Sequence, residues 1–239
     1  MGIRSLNRFL HHRCKKNLLP CNLEKMRNWK IAIDANNYLY QIINGDLLKN
    51  VDEFCKVLKK YNISAIWIFD GPPPDYKKPI IKQRRNYFSS LRNKHHILDQ
   101  INKQNKERRD TNVEYSMNKI EKKMRKLTSE DIQQVKKYLE ENGYTYFVTS
   151  DTVEADMMCV ELIASNSVNA VLSEDMDIIG MGCPITIRCF DQKNKTCIYY
   201  ILDDIVADLC ITTEKFKKMC SMVSYNCSVE KAFEFIKNQ

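Results

Sequence analysis

Four short runs rich in β-branched and aromatic residues, Lys30–Asp34, Ala65–Asp70, Tyr144–Thr149 and Val168–Ser173, each lie near a stretch of helical character, over 35–44, 51–61, 130–142 and 153–165. Parallel strands are joined only by long crossovers, so short apolar strands alternating with helices predict βαβ units and a mainly parallel central sheet flanked by helices, an α/β class. Thr128-Ser129-Glu130-Asp131 and Thr152-Val153-Glu154 offer Ser/Thr caps followed by acids, the arrangement a helix start favours. Ile185–Phe190 and Thr196–Ile201, separated by Asp-Gln-Lys-Asn-Lys, predict a hairpin at the sheet edge. At 239 residues and 44% hydrophobic content the chain has enough apolar surface for one sizeable core, which excludes disordered and fibrous classes.

Each run ends in, or is soon followed by, acids: Asp34, Asp70, Glu154 with Asp156, and Asp175 with Asp177. The carboxyl ends of parallel strands lie along one edge, so the six acids converge on one rim. A single Asp after a strand is usually a turn or cap residue; the coincidence of six is what points to a site. Carboxylates crowded together repel and resist ionisation unless cations intervene. Oxygen donors without His or Cys select hard ions, Mg²⁺ with Mn²⁺ as a substitute. Two such ions about 4 Å apart can activate water and stabilise both the attacking and the leaving oxygen of a phosphodiester.

The charge is concentrated. Residues 77–127 hold 16 Lys and Arg against 5 Asp and Glu, a local excess of 11 where the whole chain has an excess of 8. The segment has no glycine and no proline after Pro79, so it reads as one or two long helices standing off the core, a basic arch that collects phosphates. The expected organisation is a single domain over 1–239, with an N-terminal half over 1–76, this insertion over 77–127 and a second half over 128–239. No apolar run approaches the ~20 residues that cross a bilayer, and charges near the N-terminus disrupt a signal-peptide core, so a non-secreted, intracellular chain without membrane partners is expected. An N-myristoylation pattern fails at Leu6. Ten cysteines without a C-x-x-C pair are expected to be reduced and structural.

Met-Gly-Ile at the start, Ala-Ile-Asp-Ala at 32–35 followed by Tyr40, Ile-Phe-Asp-Gly-x-Pro-Pro at 68–74, Val-Glu-Ala-Asp at 153–156 and Ser-Glu-Asp-Met-Asp at 173–177 occur in an order that resembles the flap endonuclease branch of the XPG-type structure-specific 5′ nucleases. The resemblance covers about residues 1–200 and implies a PIN-like sheet with a helical arch, and two-metal cleavage of flapped or branched DNA in replication and repair, in the nucleus or at a viral replication site. It implies metal-site roles for Asp34, Asp70, Glu154, Asp156, Asp175 and Asp177, and transition-state contacts for Lys77 and Arg84. Tyr40 would stack on a base at the junction, Gly2 would approach the DNA, and Arg85, Arg92, Arg108 and Arg109 would add phosphate contacts. A seventh family acid is missing: its nearest counterpart is Asn226, after Met222-Val223-Ser224-Tyr225, which weakens the expected hold on a second ion. Residues 227–239 lack the glycines of the family's duplex-gripping helical motif, and no sliding-clamp motif is evident. The resemblance implies a Mg²⁺-dependent flap endonuclease or 5′-3′ exonuclease; a monomer is expected, with RNA cleavage by the same site or a branch-binding protein of weakened turnover as the other readings.

Overall fold

The computed structural model describes residues 3, 5–73, 77–104, 111–124, 126–225 and 227–238. The elements run in order α1 (Leu6–Arg13), β1 (Pro20–Asn22), β2 (Lys30–Asp34), α2 (Ala35–Ile42), α3 (Leu47–Lys60), β3 (Ser64–Phe69), α4 (Lys78–Gln104), α5 (Thr111–Met124), α6 (Ser129–Glu141), β4 (Thr145–Val148), α7 (Ala155–Ala164), β5 (Ala170–Leu172), α8 (Met176–Gly180), β6 (Ile185–Asp191), β7 (Thr196–Ile201), α9 (Leu202–Leu209), α10 (Thr213–Ser224) and α11 (Val229–Lys237). One sheet holds the seven strands in the order β1-β7-β6-β5-β2-β3-β4, parallel from β6 through β4, with β7 antiparallel to both of its neighbours.

Central strands of this sheet are buried on both faces, and their side chains alternate between two apolar layers. Ile31, Ile33, Trp67 and Phe69 enter the layer under α2, α3 and α6, whereas Ala32, Ile66 and Ile68 enter the one under α7 and α8. A third cluster joins α1, α9, α10 and α11 to β7. The covering helices owe their seating to apolar spacing: Val51, Phe54, Cys55 and Leu58 in α3 fall at i, i+3, i+4, i+7 and are all buried. Capping fixes their starts, most fully in α6, where Thr128 and Asp131 form a reciprocal capping box.

Two expectations are corrected. The β6–β7 hairpin is not at the edge, because β1 pairs with β7 through Pro20↔Ile198, Cys21↔Cys197 and Asn22↔Thr196; three residues beginning with proline carry no strand pattern of their own and are recruited by the neighbouring strand. The helix predicted from 153 begins at Ala155, and the Glu154 side chain makes no cap bond. Its place is taken across the fold by Asp70, whose Oδ1 accepts from the Ala155 amide at 3.0 Å.

The basic segment forms α4 and α5, packed chiefly on each other, with Leu91 and Ile120 buried and His95 Nε2 2.8 Å from Glu121 Oε1. Among the described residues no helix is long and apolar enough to cross a membrane. All ten cysteines are free thiols.

Candidate functional site

The six acids gather where the parallel strands end, and they are held there by the helix starts that follow. Asp34 ends β2 and caps α2, its Oδ1 accepting from the Asn37 amide at 3.3 Å. Its Oδ2 accepts from the Ser173 hydroxyl at 2.9 Å, and Ser173, itself buried, accepts from the Asp175 amide at 3.1 Å. Asp175 in turn caps α8 by accepting from the Asp177 amide at 3.0 Å. Asp70, just past β3, accepts from Asn36 Nδ2 at 2.9 Å with the oxygen not used on α7. Asp156 accepts from the Met157 amide at 2.7 Å through Oδ1. In Asp156, Asp175 and Asp177 one oxygen, Oδ1, accepts a backbone amide, and among the described residues no donor reaches Oδ2.

The electrostatics mark the acids as one group. Burial pushes Asp34 up to about 7, opposed by the Ser173 and Asn37 bonds and reinforced by Asp70 and Asp156. Asp156 is raised by burial and then by Glu154 and Asp70; Asp177 is raised by burial and then by Asp175 and Asp156. Each repulsion disfavours ionisation, and a cation among them would relieve it.

Two cavities open at this rim. Glu154, Asp156 and Asp177 line one of about 350 Å³ with Ile3, Gly180 and Lys217. Asp70 and Glu154 line another of about 420 Å³ with Tyr40, Gly71 and Lys77. Glu154 borders both, and Lys77 Nζ lies 2.5 Å from its Oε2. Tyr40 is half exposed and faces this second cavity; the core tyrosine of α2 is Tyr38, 3% exposed. Arg85 and Arg92 are exposed on α4. Gly2, Arg108, Arg109 and Asn226 lie outside the described residues, as does the side chain of Arg84.

A hard divalent ion fits the chemistry of these donors. The ligands on offer are carboxylate oxygens, which suit hard ions, and the Cys220 thiol that shares the cavity of Asp156 and Asp177 is pushed up to about 12 by burial and Asp177. Among the described residues no group of three or more acidic, His or Cys side chains is arranged to hold an ion as it stands. The acids line a rim, and the Lys77 ammonium pairs with one of them, Glu154.

Several contributors escaped sequence reasoning. Ser173, Asn36 and Asn37 orient the acids, and the Ile3 amide donates to Asp177 Oδ1 at 2.7 Å, which ties the start of the chain to the rim. Gly180 makes room for this: a Cβ there would lie 2.3 Å from Ile3 Cδ1. Glu174 accepts from the Cys189 amide and pairs with the buried Arg188 at 3.2 Å, so the Ser-Glu-Asp-Met-Asp stretch is anchored to β6. Ser173 and Glu174 lie inside that stretch, yet only burial and partners 139 and 15 residues away give them their roles.

Two family models match this chain, the XPG N-terminal domain over residues 1–90 and the XPG I-region over residues 147–226. The chain is 25% identical to a flap endonuclease 1 of Methanococcus aeolicus over 94% of its length and 72% of the relative's. It is 28% identical to a flap endonuclease 1 of Candida dubliniensis over 93% of its length and 62% of the relative's. The catalytic core of Rad2 in complex with DNA substrate superposes with a TM-score of 0.66 at 19% identity, covering 96% of this chain and 67% of that one. The chain thus spans roughly three fifths to seven tenths of the length of these proteins.

Proposed function

This chain belongs to the XPG family, and from that premise we propose that it is a structure-specific 5′ nuclease that hydrolyses phosphodiesters at the branch of 5′-flapped DNA in replication and repair. The observation that carries the reading is the meeting of six carboxylates from four strand ends on one rim, with Lys77 set against Glu154 at its entry.

Asp34, Asp70, Glu154, Asp156, Asp175 and Asp177 would hold two Mg²⁺ ions, or Mn²⁺ in their place, which when bound supply the positive charge that lowers the pKa of water and draws in a phosphate. The chain's own residues do the rest. Lys77 exchanges its ion pair with Glu154 for the scissile phosphate, where a positioned cation stabilises charge that builds in the transition state. Arg84 follows seven residues later, about two helical turns, and so falls on the same face. Tyr40, exposed over the cavity that holds Asp70 and Lys77, offers its ring to a base at the junction, a contact of about 1–3 kcal/mol. Arg85 and Arg92 extend the phosphate contacts along α4, and Gly2, Arg108 and Arg109 complete the proposed DNA contacts.

The test is incubation of the chain with a 5′-flap duplex in Mg²⁺ and, separately, in EDTA. Cutting near the junction only with the divalent ion, leaving a 5′-phosphate, is expected. Equal cutting in both, or none with any divalent ion, sinks the reading. The same flap made of RNA distinguishes a ribonuclease built on this site, since phosphate and base-face contacts do not sense a 2′-hydroxyl.

A further inference from the structure

The first 23 residues contain five Lys or Arg, two His and no Asp or Glu, although the chain outside 77–127 is net negative. Residues 6–17 fold into α1 and the turn behind it. Leu6, Phe9, Leu10 and Cys14 are buried in the cluster shared with α9 and α11, and this spacing turns Arg8, His12, Arg13, Lys15 and Lys16 outward, all exposed. Among the described residues none of these five takes part in an ion pair. The Arg13 guanidinium lies 5.8 Å from the centroid of the Phe9 ring and 5.4 Å from that of Phe233, contacts that hold it in place and leave its charge available. Arg8, His12 and Arg13 share an open cavity of about 360 Å³ with Phe9 and Glu230, and Asn17 in the turn donates to Asp208.

The position of this face matters as much as its charge. The Ile3 amide bonded to Asp177 starts α1 at the acid rim. From there the helix rises about 12 Å, at roughly 1.5 Å per residue. A duplex leaving the rim offers a phosphate on each strand for about every 3.4 Å of axis, so a row of cations of this length can meet several in succession.

We propose that the outer face of α1 and its following turn, Arg8, His12, Arg13, Lys15 and Lys16, is a second phosphate-binding surface that holds the backbone of a duplex DNA arm beside the cleavage site. This rests on the nuclease reading above and says where part of its substrate lies. Lysine and arginine reaching phosphates position a duplex without reading its sequence, so the surface sets affinity and register and leaves branch preference to the rim.

The experiment compares the unaltered chain, an R8Q/K15Q/K16Q variant and a K30Q/K59Q/K60Q variant, binding a 5′-flap duplex in EDTA over a series of salt concentrations. Lys30, Lys59 and Lys60 are exposed at the opposite edge of the sheet, where β2 and β3 begin, so the third protein loses the same charge elsewhere. The slope of log affinity against log salt should fall by about three in the α1 variant, close to one for each phosphate no longer neutralised, and stay put in the other. An unchanged slope in the α1 variant overturns the proposal, and so does an equal fall in both variants. All six substituted side chains are exposed, and melting temperatures near that of the parent check that each variant is folded. Cutting in Mg²⁺ is scored separately. A chain that cuts flaps with a slope indifferent to α1 keeps the nuclease reading and loses the surface; one that binds duplex through α1 and never cuts does the reverse.

Discussion

Asp34 is 6% exposed and its carboxyl is pushed up to about 7, first by burial and then by Asp70 and Asp156. A folded-state pKa above the unfolded value means that the native chain binds a proton more tightly than the unfolded one, so this contribution to stability is full below about pH 4 and is lost as pH rises through about 7. Asp34→Asn should therefore raise the melting temperature of the ion-free chain little at pH 4 and clearly at pH 8. A stability gain on the order of 2–4 kcal/mol is expected there, at about 1.4 kcal/mol per pKa unit; thermal unfolding in EDTA at the two pH values measures it, and equal shifts at both would contradict the buried, repelled carboxylate. Asp175 separates fold from chemistry in another way. Its Oδ1 caps α8, and asparagine caps as well as aspartate, so Asp175→Asn should keep the fold and remove one negative charge from the rim. Flap cutting should fall at least about 100-fold while junction affinity holds or rises, since less charge repels the phosphate; an unchanged rate would point to a contaminating nuclease. Ser173→Ala should weaken the hold on Asp34 and Asp175 together, costing roughly 1.5–3 kcal/mol as a bond to a charged group, read as a lower melting temperature at pH 8.

Between elements, the tightest requirement is at the end of β3. A Cβ on Gly71 would lie 2.0 Å from the Thr149 carbonyl oxygen, while the Gly71 amide donates to the Thr149 hydroxyl at 3.0 Å. Backbone meets backbone there, so Gly71→Ala must push the exits of β3 and β4 apart, at a cost of about 1–3 kcal/mol as for other overpacked sites. Asp70 precedes it and caps α7, so the same variant should lose flap cutting by more than its melting temperature alone explains; a drop in stability with full activity would count against the coupling. Most elements were legible locally. The β-branched runs and the Thr128 cap announced β2 to β5 and α6 because those signals lie within a few residues of the structure they specify. The spacing Phe216, Met219, Cys220, Val223 in α10 and Val229, Ala232, Phe233, Ile236 in α11 is just as readable, with Thr212 and Ser228 as caps. Strand β1 is different in kind, since only β7 makes Pro20–Asn22 a strand.

At the scale of the molecule the charge divides into an acidic rim, a basic pair of helices and a basic outer face of α1. Neutralising Arg85 and Arg92 together with Arg84, Arg108 and Arg109 should flatten the salt dependence of DNA binding by up to about one slope unit for each phosphate these side chains neutralise. Titrating a flap duplex by fluorescence anisotropy over a range of salt checks it, and an unaltered slope would mean that α4 and α5 face away from the substrate.

The sequence by itself determined the α/β class, the order of the main strands and helices, and the six acids, because periodicity, capping and residue type are properties of short stretches. Only the tertiary structure decided how those acids are held: the Ile3 amide on Asp177 across 174 residues, Ser173 on Asp34 across 139, Asp70 on the start of α7 across 85 and Lys77 on Glu154 across 77. Each of these contacts joins groups that nothing local brings together. Whether a carboxylate ends as a cap, a partner for an ammonium or a raised and buried acid depends on which distant donors and charges the packed sheet sets beside it.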